Sequence, residues 1–123
     1  MNIGAIDDSA EARVRLAVSS SGGTPPREID AILDTGFEGA LALPPASIAA
    51  LDLQQTGQEQ YATASGETYQ TGTYRATVAL GERRIVVDEV IEAAEPLMGA
   101  DLLWGFRVCV DYREDGRVTL EAL

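Results

Sequence analysis

The sequence predicts a single, mainly β domain, and three observations point to it. Hydrophobic residues recur with a period of two rather than 3.6. Short apolar runs end repeatedly at Gly-containing turns. The chain has 123 residues, too few for more than one domain of ordinary size. A chain of this length buries roughly two-thirds of its unfolded surface, enough for a core without staples. Its 46% hydrophobic and 24% charged residues match a globular protein rather than a disordered one.

Along the chain, Ala12 to Ser19 alternates Arg13 and Arg15 against Val14, Leu16 and Val18, the pattern of a half-buried strand. Ser20 to Pro26 reads as a loop by composition. Ile29 to Leu33 is the second strand, ending at Asp34-Thr35-Gly36, and Leu41 to Leu43 the third, stopped by Pro44-Pro45. Pro45 to Leu51 suits one or two helical turns with Pro at the first position. Tyr61 to Ala64 and Glu67 to Gln70 flank Ser65-Gly66 as a polar hairpin projecting from the body. Tyr74 to Leu80 and Arg83 to Ile91 flank Gly81-Glu82 as a more buried one. Leu97-Met98 is an apolar pair before Gly99, and Ala100 to Trp104 is a short helical stretch closed by Gly105. Phe106 to Tyr112 and Arg117 to Leu120, joined through Asp115-Gly116, form the last hairpin.

Missing residue types narrow the chemistry. The chain has no His and no Lys, all nine cations are Arg, and Cys109 is the one cysteine. Ser-His-Asp and Cys-His catalysis, Schiff bases, a P-loop lysine and His- or Cys-rich metal sites are therefore excluded. No cofactor is implied. Carboxylates, hydroxyls and backbone groups remain. The net charge of −11 opposes nucleic acid and anionic membrane as partners. The longest uncharged run, Gly39 to Leu51, is too short and too broken by proline to span a bilayer. Asp7, Asp8 and Glu11 stand where a signal peptide would carry a cation and an apolar stretch, so a cytoplasmic location is expected.

The informative segment is Ala31-Ile32-Leu33-Asp34-Thr35-Gly36-Phe37-Glu38-Gly39. A carboxylate directly after a buried apolar strand is costly unless its position serves a purpose. Thr can fix the acid's loop, and Gly lets the backbone turn or approach a ligand. The plain alternative is a strand-ending turn, which the same three residues favour. Chance alone places the tripeptide in about 2% of chains this long, so by itself it separates the two readings only modestly.

The segment resembles the active-site loop of aspartic proteases, and the landmarks after it follow the order of the single-lobed retropepsin-like group. The Ser65-Gly66 hairpin stands where that family has its flap. Leu97-Met98-Gly99-Ala100-Asp101-Leu102-Leu103 is similar to its second signature. Asp34-Thr35-Gly36-Phe37-x-Gly39 followed by Leu41-x-Leu43-Pro44 looks most like bacterial and archaeal members. The resemblance implies a retropepsin-like acid-protease barrel over residues 1–123, with a short helix before the C-terminal strands. It implies hydrolysis of peptide or protein substrates by a water between two carboxylates that share a proton. With one Asp-Thr-Gly in a one-lobed chain, those carboxylates are Asp34 of two subunits in a homodimer. Thr35 and Gly36 would support the loop. Gly36, Phe37, Glu38 and the flap residues Ala64, Ser65, Gly66 and Glu67 would bind an extended peptide.

Two departures stand out. Phe37 occupies a position that is small in well-studied proteases, and Ala100 replaces an Arg that pairs in retroviral enzymes with the acid equivalent to Glu38. A non-catalytic dimeric peptide-binding or scaffold module of the same fold is the alternative function. Elsewhere, Asp7-Asp8 and Asp88-Glu89 read as solvated strand ends and Asp101 as a first-turn acid. Trp104 and Tyr112 are expected to pack, and Cys109 to be a small buried or interface residue.

Overall fold

A computed structural model describes residues 1–20, 24–62 and 64–123, with the backbone alone considered at Tyr61. The residues Ser21, Gly22 and Gly23 of the expected loop, and the arm residue Thr63, lie outside the described residues. Among the described residues ten strands form one curled sheet: β1 (Asn2–Ile6), β2 (Ala12–Ser19), β3 (Arg27–Leu33), β4 (Leu41–Leu43), β5 (Gln54–Ala62), β6 (Thr68–Leu80), β7 (Arg83–Glu92), β8 (Leu97–Met98), β9 (Phe106–Val110) and β10 (Arg117–Ala122). One α-helix, α1 (Pro45–Ala50), follows β4, and a 3-10 turn at Ala100–Leu103 follows β8. The strand order is β5-β6-β7-β4-β8-β3-β2-β1-β10-β9, and an added β2–β6 pairing closes part of the sheet into a barrel. The mainly β class and the short helical turn before the last strands agree with the sequence.

The core follows from alternation. In β2, Val14, Leu16 and Val18 are fully buried while Arg13 and Arg15 face out. Leu41, Leu43, Val78, Val90, Met98 and Val118 meet them inside the barrel. Burying a side chain of this kind stabilises the fold by about 1.5–3 kcal/mol, so these strands hold the body together. The helix α1 starts with Pro45 in its first turn and sinks Ile48 into the same core.

Several elements depart from the sequence reading, each for a local reason. The strand β1 was not expected, because a bulge between Asn2 and Gly4 breaks its alternation against β10. The two middle hairpins share one continuous strand. Thr71-Gly72-Thr73, which resembles a break, lies inside the 13-residue β6. There Thr71 and Thr73 are buried because their hydroxyls are bonded: Thr71 Oγ1 accepts the Glu92 N–H at 3.2 Å, and Thr73 Oγ1 meets Thr56 Oγ1 at 3.0 Å. The expected two-residue turn at Ser65-Gly66 is wider, since the last strand pair is Ala62 with Thr68, although Gly66 does adopt φ +85°. Leu97-Met98 is a strand rather than a bare apolar pair. Trp104 and Tyr112 do not pack; they are 86% and 78% exposed. Cys109 is exposed in the single chain, on the outward phase of β9.

The β1–β2 connection is held by one carboxylate. Asp7 accepts the N–H groups of Ser9 at 2.9 Å and Glu11 at 3.0 Å, and Arg13 Nε donates to its other oxygen at 3.1 Å. The Glu11 N–H above all holds the Asp7 carboxyl below the usual aspartate range; burial opposes it, and the Arg13 and Ser9 hydrogen bonds add to the lowering. A lowered folded-state pKa means that this support is complete above the unfolded pKa and disappears as pH falls through the folded one. Wild type is therefore expected to be more stable than Asp7→Asn at pH 7, with the gap closing in acid below the ordinary aspartate pKa. Thermal melts of both proteins from pH 7 to pH 2 check this, and a gap that stays constant across the range would contradict it.

Candidate active site

The sequence motif sits where the sheet is most unusual. Strands β3 and β4 are consecutive, yet they do not pair. The two residues of β8 lie between them, parallel to β3 (Ile32 with Leu97, Leu33 with Met98) and antiparallel to β4 (Leu41 with Met98, Ala42 with Leu97). The loop from Asp34 to Ala40 must therefore arch over the end of β8. Backbone hydrogen bonds stitch the two segments together. The N–H of Asp34 donates to Met98 O at 2.9 Å, that of Gly99 to Ala40 O at 2.9 Å, that of Ala100 to Phe37 O at 2.9 Å, and that of Asp101 to Gly39 O at 3.2 Å.

Within the arch, Asp34 is half-buried, and its Oδ1 accepts the Gly36 N–H at 3.0 Å. Its carbonyl accepts the Phe37 N–H at 3.2 Å. The carboxylate is thus oriented by its own loop, which leaves its second oxygen outside this bond. Thr35 and Gly36 are exposed beside it.

Phe37 explains two glycines. Its ring lies over Gly39 and Gly99: a Cβ on Gly39 would come within 2.6 Å of the ring, as would one on Gly99. A Cβ on Gly99 would also meet the backbone oxygens of Gly39 and Phe37. Gly99 is needed for close approach, since its φ of −96° is open to any residue. Phe37 therefore packs inward onto the arch and also presents part of its ring to a cleft.

That cleft, with a volume of about 1000 Å³, opens beside the arch. It is lined by Gly36, Phe37 and Glu38 of the arch, by β7 from Ile85 to Glu89, by Glu59 and Ala62 of β5, and by Asp101 and Leu102 of the 3-10 turn. The β7 wall was not legible in the sequence. Ile85-Val86-Val87 is a continuous apolar run, and only its length in a period-two strand hints that one member faces out; Val86 does, at 58% exposure. The proposed flap residues Ala64, Ser65, Gly66 and Glu67 are exposed at the hairpin tip and do not line the cleft in this conformation, whereas Glu59 and Ala62 lower on the same hairpin do. Tyr69 Oη donates to Glu67 Oε2 at 2.6 Å within the hairpin.

The hairpin is anchored at its base. A bulge in β5 between Gln55 and Gly57 displaces Thr56, whose hydroxyl donates to Asp88 O at 2.7 Å and meets Thr73. Among the described residues no group of three or more Cys, Asp or Glu is placed to hold a metal ion, and no helix is long and apolar enough to cross a membrane.

The fold is that of a retropepsin-like protease. A retropepsin-like aspartic protease from Rickettsia conorii superposes with a TM-score of 0.68 at 21% identity, covering 98% of this chain and 89% of that one. No protein-family profile matches the chain, and no curated protein sequence matches it.

Two outcomes follow from this geometry. Gly99→Ala is expected to cost about 2 kcal/mol because rigid backbone must move, and Phe37→Ala should not rescue it. The atoms nearest a Cβ on Gly39 all belong to the Phe37 ring, so Phe37→Ala should relieve most of the cost of Gly39→Ala; denaturant melts of the two double-mutant cycles decide this. Amide hydrogen exchange should be faster at Ser65 to Gln70 than at Ala31 to Leu33, because the tip lacks the core contacts of β3. Equal protection in the two segments would refute that expectation.

Proposed function

We propose that the chain is an aspartic endopeptidase acting as a homodimer, with Asp34 of two subunits holding one water between them. The observation that carries this reading is Asp34 itself. It is oriented by the Gly36 N–H on a stitched arch, beside a cleft of peptide size, in a retropepsin-like fold. A carboxylate held in one orientation by its own backbone beside such a cleft suits an acid–base group of a hydrolase.

In the proposed reaction one Asp34 carboxylate takes a proton from the water as its oxygen attacks the scissile carbonyl carbon. The partner's Asp34, protonated, donates to the carbonyl oxygen. The proton taken up by the first Asp34 then passes to the amide nitrogen as the C–N bond breaks, while one hydroxyl of the tetrahedral diol returns its proton to the partner's Asp34, so the pair shares one proton again. Thr35 braces the two arches, and the backbone of Gly36 orients the peptide. Phe37 and Glu38 contact it from the loop side. Ala64, Ser65, Gly66 and Glu67 close over it from the hairpin, adding backbone hydrogen bonds along an extended chain.

Phe37 favours a second reading, a dimeric peptide-binding module without catalysis, because a large ring follows the Asp34-Thr35-Gly36 motif, packs over Gly39 and Gly99 and lines the cleft. The two readings part on chemistry and agree on binding.

The test is cleavage of a mixed peptide library, read by mass spectrometry, with sedimentation of the same preparations. Wild type is expected to cleave best in mildly acidic solution, with the rate falling on either side as the shared proton is lost or a second is gained. Asp34→Asn should reduce cleavage by at least 10³-fold, the order of loss seen when a group acting as a unit is removed. A protein that stays monomeric with peptide present, or undiminished activity in Asp34→Asn, would refute the dyad. Binding without cleavage would establish the module instead.

A further inference from the structure

The same cleft has a chemical bias that the proposed reaction does not require. Carboxylates of Glu38, Glu59, Asp88, Glu89 and Asp101 line it, all exposed, and no arginine is among the described lining residues. They come from four separate elements: the arch, β5, β7 and the 3-10 turn. They are spread along the walls rather than gathered, since no three acids are placed to hold a metal ion among the described residues. What they share is the space between them.

Two of these acids stand out because of a backbone irregularity. Between the pairs Tyr74–Val90 and Ala76–Val87 the strand β7 carries one extra residue. This bulge breaks the alternation, so Asp88 and Glu89 are both exposed in succession between buried Val87 and Val90. Arg75 Nε neutralises Asp88 at 2.8 Å. Among the described residues no ion pair involves Glu38, Glu59, Glu89 or Asp101. Four carboxylates thus face a cavity with apolar patches supplied by Phe37, Val86 and Leu102. Low-dielectric walls focus such a field into the cleft, and the net charge of −11 extends it outward.

We propose that this cleft selects basic peptides, with an apolar residue seated against Phe37 and Val86 and arginine or lysine side chains flanking it. This rests on reading the cleft as the peptide site. A guanidinium or ammonium group on the substrate finds unpaired carboxylates within reach of an extended backbone, whereas an acidic flank meets repulsion from several sides. In a two-fold dimer each acidic wall occurs twice, so the bias applies on both sides of the scissile bond. Glu59 and Glu89 are the specificity-determining residues, because both line the cleft from β5 and β7, away from the arch that carries Asp34.

The experiment uses three peptide sets with one apolar core and flanks of Arg, Gln or Glu. Affinity is measured by fluorescence anisotropy on the Asp34→Asn chain at low salt and at 0.5 M salt, and cleavage by wild type is followed by mass spectrometry. The Arg set is expected to bind about tenfold more tightly than the Glu set at low salt, with the gap shrinking at high salt. Glu59→Lys with Glu89→Lys should abolish or reverse the order, and the single Glu→Gln variants should each narrow it if the double variant does not fold. Equal affinity for the three sets overturns the charge preference, and if they are cleaved the peptidase reading stands. Preferential binding of the Arg set without cleavage upholds the preference and overturns the peptidase. Peptides that are neither bound nor cleaved overturn both.

Discussion

The structure depends on one insertion: Leu97-Met98 threaded between β3 and β4. Without it the two strands would pair directly, and the loop between them would be an ordinary hairpin connection. With it, Asp34 to Ala40 has to span an extra strand, and the arch is fastened to Met98, Gly99, Ala100 and Asp101 by backbone hydrogen bonds. Those bonds need no particular side chains, but they require the two backbones to approach closely. This explains why Gly99 lies under the arch and why the apolar pair before it is drawn into the core, with Met98 fully buried. A carboxylate at the end of β3 is thereby fixed by the main chain of a segment more than sixty residues away in sequence.

The second constraint is how the polar hairpin meets the body. Its base contributes two buried threonines instead of aliphatic residues, and their hydroxyls are both answered: Thr71 by Glu92 and Gly72, and Thr73 by the exposed Thr56, which itself donates to the Asp88 carbonyl. Buried hydroxyls with partners cost the fold little, while unpartnered ones would cost about 1–3 kcal/mol each. A hairpin secured this way keeps a fixed root while its tip remains exposed, an arrangement suited to covering an adjacent cleft. The bulges that create it, at Thr56 in β5 and at Asp88-Glu89 in β7, shape both the root and the neighbouring cleft wall.

Charge works on a different scale from these contacts. Among the described residues no arginine lines the cleft: Arg13 pairs with Asp7, Arg107 with Glu121, Arg83 stacks over Phe106 at 4.6 Å while donating to Gly105 O, and Arg75 reaches it only through its pair with Asp88. With the cations used elsewhere on the surface, the acidic excess is left to dominate the cavity. Such exposed pairs add little stability individually, so their placement matters more for the local field than for the fold.

The sequence by itself determined the β class, the acid at the end of a buried strand, the polar hairpin after it and the Gly-led turn before the last strands. Each of these is a local matter of side-chain period, turn chemistry and residue type, and Ala31 to Gly36 carries all three at once. Tertiary structure alone decided that Leu97-Met98 is a strand, that Phe37 lies over Gly39 and Gly99, and that Trp104, Tyr112 and Cys109 stay exposed. It also decided that Glu59 and the Asp88-Glu89 bulge line one cleft. A bulge adds one residue to a strand and turns every later side chain to the other face, and no local pattern records on which side of a distant strand that shift leaves it.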